Sequence, residues 1–316
     1  MAQPTGTFAT NDAVGIREDL ADVVYDISPT ETPFLSMAAH TEATARLHEW
    51  QTHSLAAAAD NAAIEGDDAP QNSGTATNRV QNRTQISTKD ARVSGSMRAV
   101  DTAGRADELD FQLLNRGHEL KRDMETGLLS NKAKVTGDDS TASEYAGIEA
   151  WIKTNTSKGT GGTDPTSADG TDARNDGTQR ALTEDMLKSV LVSAFSAGGN
   201  PDCLMAGPFN RQAISDFTGN NTIFQKADDA TLHATFRVYE SDFGELKIIP
   251  NRFQRTRSVY ALEMDKWKIP FLSGRNMVSF EIAKTGDSDA KQILSEYTLE
   301  ACNEAANGGI FDLTTS

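Results

Sequence analysis

Metal and nucleophile chemistry both need particular side chains at particular spacings, and the chain offers few of them. Its histidines, His40, His48, His53, His118 and His233, include no pair four apart, the spacing that sets two imidazoles on one helical face for a metal. His48 and His53 lie five apart in a run that reads as a strand, which sends them to opposite faces. Cys203 and Cys302 stand about 100 residues apart, supplying neither a disulfide framework nor enough thiolates for zinc. Asp164, Asp169, Asp172 and Asp176 alternate with Gly and Asn, but not at the ligand spacing of a helix-loop-helix calcium site. A solvated loop is the expectation there. Gly159-Thr160-Gly161-Gly162 has no Lys-Ser/Thr after it, so it is no phosphate loop. No Gly-x-Ser-x-Gly elbow occurs. Lys89 could in principle form an amide with Asn303 or Asn307 of a neighbouring copy, although an exposed salt-bridging lysine is the simpler reading. These residues do not argue for an enzyme, and no cofactor or metal is expected.

Composition points the same way. With 46 acidic against 30 basic residues the net charge is −16, which disfavours sequence-specific nucleic-acid binding because phosphate neutralisation needs clustered Lys and Arg. The apolar set is 37%, and 24 glycines raise it to about 45%, the low edge of the globular range. A chain of 316 residues can bury a core as one large domain or two modest ones, yet much of it must be surface or interface. No unbroken apolar run exceeds about five residues, far short of a membrane span. Met1-Ala2-Gln3-Pro4 has no basic or apolar signal region, so no cleaved secretory signal is expected, and the two cysteines suit synthesis in a reducing cytosol.

The elements that would position these residues begin with a broken arm. Ile16, Leu20, Val23, Val24 and Ile27 have a short helix-like spacing, ended by Ser28-Pro29 and Thr32-Pro33. Phe34-Leu35-Ser36-Met37 is too short to bury itself, so it must dock on something else. Arg46 to Thr52 reads as a strand, residues 60–75 as a polar tip, and a second extended run returns from Arg79 through Val93 to Met97. That return carries Arg79, Arg83, Lys89, Arg92, Arg98 and Arg105. A two-stranded ribbon with so few apolar anchors is marginal alone and calls for a partner surface.

Ala106, Leu109, Leu113, Gly117, Leu120, Met124 and Leu128 recur at spacings of 3 and 4. This stripe predicts an amphipathic helix from about Asp101 to Ser130, on the order of 40 Å long. Gly117 and Gly127 each weaken it by about 1 kcal/mol. Residues 157–178 read as low-complexity loop. Beyond them Thr183 starts a helix that Gly198-Gly199 stop. Asp202–Ala206 reads as a buried strand, and Pro208 opens a helix with Phe209, Ala213, Ile214 and Phe217 on one face. Strands follow at 236–239, 245–249, 258–262, 292–300 and 310–313.

Arm, two-stranded excursion, long helix, α/β unit and late strands form an order that resembles the major capsid proteins of tailed bacteriophages with the Hong Kong 97-type fold. The wording adds to the likeness: Ser28-Pro-Thr-Glu-Thr-Pro-Phe-Leu-Ser36, Glu49-Trp-Gln51 with Ser54-Leu55, Glu65-Gly66, and Val238-Tyr-Glu-Ser-Asp-Phe-Gly244 followed by Ile248-Ile-Pro-Asn-Arg252. So do Glu296-Tyr-Thr-Leu-Glu300, Asn303-Glu304 and Gly308-Gly309 near the end. The resemblance implies an α+β chain divided into an N-terminal arm (1–43), an E-loop (44–100), a P-domain with the spine helix (101–145), an A-domain (146–285, with an insertion at 157–178) and late P-domain strands (286–316). It implies hexamers and pentamers that close an icosahedral or prolate head around double-stranded DNA. E-loops would lie over adjacent subunits and A-domains would meet at capsomer centres.

On this reading Phe34, Trp50, Arg79, Arg83, Lys89 and Arg92 are candidate contacts between subunits. Because the chain enters the arm at once, a separate scaffolding protein is expected, beside a portal and a possible decoration protein. Synthesis in the host cytoplasm, residence in the virion and no membrane contact complete the expectation. Two other readings stay open at this point: an encapsulin-type cargo compartment, and a secreted Ca²⁺- or glycan-binding surface protein using the Asp/Gly/Thr loop.

Overall fold

In the computed structural model the described residues are 28–62, 65–66, 68, 74–100, 107–217 and 238–315. The helix-like spacing between Ile16 and Ile27 lies outside them. The first element is a single helical turn, α1 (Pro33–Met37), with Pro33 at its start, where a fixed φ and a missing N–H cost nothing. Its first free amides, on Phe34 and Leu35, both donate to the carboxylate of Glu125 at 2.8 Å. Phe34 and Leu35 are themselves buried. The arm segment therefore docks on its own chain, and β1 (Ala39–Ala43) continues it into a parallel pairing with residues 268–272.

β2 (Leu47–Thr52) and β3 (Asn78–Arg83) form an antiparallel ribbon, from Leu47 opposite Arg83 to Thr52 opposite Asn78. Here the structure differs from the sequence reading, which carried the returning strand on to Met97. The return is split at Thr84, whose hydroxyl donates to Glu296. β4 (Gln85–Ser94) then leaves the ribbon and joins the body's sheet. Its alternation turns Ala91 and Val93 to Leu109 of the long helix, with which they are buried, whereas β3 buries Val80 in the main core. Ser94 next caps the short α2 (Gly95–Ala99) through the Met97 amide.

The long helix, α3, runs from Glu108 to Leu128, about 31 Å at 1.5 Å per residue, shorter than the stripe suggested. Residues 101–106 lie outside the described residues, and the Asp107 carboxylate caps the start by accepting the Leu109 amide at 2.8 Å. Leu109, Leu120, Met124 and Leu128 are buried, as the periodicity predicts. Past the helix end, Lys132 sits over the Tyr145 ring and Lys134 donates to the Gln81 and Asp169 carbonyls.

A second unit holds β5 (Asn155–Ser157), α4 (Glu184–Ser196), β6 (Cys203–Ala206), α5 (Pro208–Ser215), β7 (Val238–Ser241), β8 (Gly244–Pro250) and β9 (Val259–Leu262). β6 is buried at all four positions, between parallel β8 and antiparallel β9. α4 buries Leu187, Val190, Leu191 and Ala194 against this sheet. Thr183 stands at its N-cap without a side-chain bond. In α5 the buried face is Asn210 and Ile214, with Phe209 exposed, because the Asn210 amide donates to the Thr256 carbonyl.

Residues 157–178, read from composition as solvated loop, are knitted into the body. The Arg174 guanidinium lies 3.1 Å from the Phe311 ring centroid and donates to Asp164 at 2.6 Å. Asp176 binds Arg255 and Arg257, and the Gly159 and Gly177 amides donate to the Asp312 carboxylate. Paired charges, not an apolar core, order this segment.

Five late strands complete the fold: β10 (Trp267–Leu272), β11 (Val278–Ile282), β12 (Ser288–Tyr297), β13 (Glu300–Ala301) and β14 (Gly308–Ile310). β12 is central, with β4 antiparallel along its full length and β11 antiparallel on the other side. β10 joins β1, β13 and the end of β12. β14 instead enters the second unit's sheet, ordered β5-β14-β9-β6-β8-β7. A core of Phe34, Tyr145, Trp151, Tyr260, Trp267, Tyr297 and Phe311 welds the two units together.

Candidate assembly surfaces

The ribbon's base is clasped to the body by polar groups the alternation of β2 and β3 turns inward. The Trp50 indole lies 5.4 Å from Trp151, and its N–H donates to the Ala301 carbonyl at 3.0 Å. His48 meets Glu300 at 3.0 Å, and Lys268 reaches the other carboxylate oxygen at 3.2 Å. Burial works against the Glu300 charge, but donation from His48, Cys302 and Lys268 outweighs it and holds that carboxyl down at about 2. Buried Asn82 donates to the Leu299 carbonyl at 2.7 Å and accepts the Ala146 amide at 3.0 Å.

Beyond this clasp the support ends. Residues 53–62 follow β2 with no regular structure and are exposed throughout, and the Leu55 side chain is 87% exposed. A rigid base carrying an uncovered strap suits reaching another surface, since ordering a strap without burial has no free-energy return.

The six candidate contact residues divide. Phe34 is fully buried, edge-on to Trp267, and presents no surface. Its place is inside its own chain. Trp50 is half-buried in the clasp, and Arg83 closes the ribbon opposite Leu47. Lys89 points to the long helix, with Nζ 2.7 Å from Asp123 and 3.9 Å from Glu119. Arg79 stands free of the body beside Glu49 at 3.8 Å, and Arg92 is exposed on β4.

The larger open surface was not singled out from sequence. Lys89 and Ile293 sit opposite each other on the sheet face toward α3, so Ile86, Val278 and Phe280 fall on the outer face. All three are exposed, Phe280 at 45%. The signal was present in the alternation Val278-Ser279-Phe280-Glu281-Ile282. Leu114 of α3 and, in the second unit, Val192 and Phe195 are likewise exposed, with Phe195 stacked on Phe243 at 4.6 Å. Uncovered apolar surface spread over sheet, helix and second unit is the mark of a chain that meets other proteins.

The acids of residues 157–178 are engaged by protein groups. Asp164 takes Arg174 and Lys158, Asp169 takes Thr171, Asp172 the Thr166 amide, and Asp176 the two arginines. Among the described residues no group of three His, Cys, Asp or Glu side chains is arranged to hold a metal ion. No described helix is long and apolar enough to cross a membrane.

Known proteins carry the same arrangement. The chain is 26% identical over 348 residues to the major capsid protein of Escherichia phage Phieco32, covering 98% of each chain. Among solved structures, a chain of Gordonia phage Cozz matches with TM-score 0.64 at 12% identity, covering 99% of this chain and 98% of that one. A chain of the cyanophage A-1(L) capsid asymmetric unit matches with TM-score 0.64 at 13% identity, covering 97% and 98%. The fold is thus the Hong Kong 97-type of tailed-phage capsids, as the order of parts implied. The model of the SU10 major capsid protein family matches residues 3–314, and this chain belongs to that family as a structural protein of the phage capsid.

Proposed function

We propose that the chain assembles as hexamers and pentamers into a closed icosahedral or prolate head around double-stranded DNA, with each ribbon lying over an adjacent subunit. The exposed strap at 53–62 above a rigid clasp carries this reading. The strap, the outer sheet face and the exposed second-unit aromatics gain cover only between copies, so stability rises with association. A wall of net charge −16 encloses the genome without gripping it, since like charge repels phosphate. A separate scaffolding protein would set curvature, a portal would occupy one vertex, and a decoration protein could sit on the outer surface. The product is a virion component made in the host cytoplasm.

Electron microscopy of the purified chain, alone and with a scaffolding partner, tests the reading. Closed shells or capsomers are expected. Replacing residues 53–77 by a short turn should leave a folded monomer that forms neither. A shortened chain that still closes shells would refute the role given to the ribbon.

A further inference from the structure

The apolar stripe of α3 is not fully covered by its own chain. Between its buried ends, Leu113 and Gly117 form the floor of an open groove of about 400 Å³, walled by Leu114, Met277 and Ile293. Leu114 is 61% exposed. Asp110 lies at one end, already paired with Lys291 at 3.0 Å, and His118 and exposed Lys121 lie at the other. The groove is therefore apolar along its floor and basic at one end.

Gly117 shows that the space is not an accident of packing. A methyl group there would meet Ile293 at 3.7 Å and Met277 at 3.9 Å, ordinary contacts that would add to the core. At the helix's other glycine, Gly127, a methyl group would collide with the Tyr145 hydroxyl. The chain's own packing thus accounts for Gly127 and leaves Gly117 without a reason, although glycine is costly inside a helix.

One segment of the chain has the complementary form. Leu55-Ala56-Ala57-Ala58-Ala59-Asp60 is exposed throughout: one large apolar side chain, four small ones, and an acid at the far end. Extended, Leu55 to Asp60 spans about 17 Å. Asp110 to Lys121 along the helix spans about 16 Å. We propose that the α3 groove seats residues 55–60 of a second copy, with Leu55 at the Asp110 end against Leu113 and Leu114, whose side chains lean toward the helix N-terminus, the alanines over Gly117, and Asp60 against Lys121. The inference rests on the reading of the ribbon as an element that lies over a neighbour, and names its seat. Gly117 leaves the floor bare where the alanines would lie, and Lys121 opposite Asp60 sets the direction.

Disulfide trapping tests it. Shells of the Leu55→Cys/Leu114→Cys chain, treated with copper phenanthroline, are run on a non-reducing denaturing gel beside both single variants. Most of the double variant should enter covalent multimers, about tenfold more than either single variant. A band at monomer size, whether unlinked or closed within one chain, overturns the seat. In parallel, Gly117→Leu should keep the monomer's melting temperature within a few degrees and lower shell yield about tenfold or more, whereas wild-type yield would overturn it. Asp60→Lys and Lys121→Asp should each impair assembly and together restore it; failure of the pair to restore it counts against the proposed direction. Wild-type protein that forms no shells would instead undo the container reading itself, so the two failures are distinct.

Discussion

Removing the carboxylate of Glu125 should release the arm. Glu125 is fully buried on α3, yet it accepts the Phe34 and Leu35 amides, each at 2.8 Å, and the Asn251 side-chain amide at 2.6 Å. It thereby joins the arm, the long helix and the second unit at one point. Glu125→Leu leaves the two backbone donors without an acceptor and Asn251 with only the Met205 sulfur at 3.3 Å, and a buried unsatisfied donor costs about 1–3 kcal/mol. Allowing for water entering the gap, the loss should be about 3–6 kcal/mol, a large share of a typical stability of about 5–15 kcal/mol. Glu125→Gln keeps one oxygen and should lose about 1–2 kcal/mol.

Burial lifts the Glu125 carboxyl above the usual carboxylate range, against the lowering effect of its three donors. A group whose folded pKa is raised contributes most below its unfolded pKa and loses that contribution as pH rises through the folded value. The stability difference between wild type and Glu125→Gln should therefore shrink as pH rises through the folded value of Glu125. Urea unfolding followed by tryptophan fluorescence gives the free energies, and hydrogen exchange at residues 33–38 reports the arm. Unchanged urea midpoints and unchanged protection of 33–38 in Glu125→Leu would refute the reasoning.

Three further outcomes follow from the same contacts. Asp176→Ala should cost about 1–2 kcal/mol and open residues 157–178 to limited proteolysis, because Arg255 and Arg257 lose their shared partner. Hydrogen bonding from Arg255 holds the Asp176 carboxyl below its usual 3.8, so its contribution should persist down to that pH and fade only below it; rapid cleavage of the wild-type segment at neutral pH would contradict this. Trp50→Ala removes the contact with Trp151 and the bond to Ala301, and should cost about 2–3 kcal/mol for this half-buried ring. It should raise hydrogen exchange across β2 and β3 more than across β12, and equal changes in both would count against the clasp. Lys89→Met should shift stability by less than about 1 kcal/mol, since Lys89 and Asp123 are both partly exposed; boiled shells of wild type and variant should both run as monomers, and a covalent ladder lost in Lys89→Met would show an amide cross-link instead.

Much of this was legible where one periodicity governs. The α3 stripe marked Leu109, Leu120, Met124 and Leu128 as core, and the turn residues around 236–262 marked β7 to β9. Glu125 could not be read that way. On the helix it resembles any solvent acid, and it is buried by amides 90 and 91 residues away. Residues 158–178 are the loop their Gly and Asp content suggests, but Arg174, Arg255 and Arg257 supply charges that order them, and those partners could not be read from composition. The ribbon was read as too long because β4 alternates as β3 does, and only their partners differ: Val80 of β3 packs in the main core, whereas Ala91 and Val93 of β4 pack on Leu109. For the contact surfaces the basic residues drew notice, whereas the exposed apolar positions on β11 and α3 look like core until the fold shows their direction.

Sedimentation of the purified wild-type chain across a wide concentration range, with hydrogen exchange read at residues 53–62, bears most directly on the central claim. Capsomers or shells should form as concentration rises or scaffold is added, and those residues should gain protection in step. A monomer at every concentration with and without scaffold, its residues 53–62 already protected, would contradict the account.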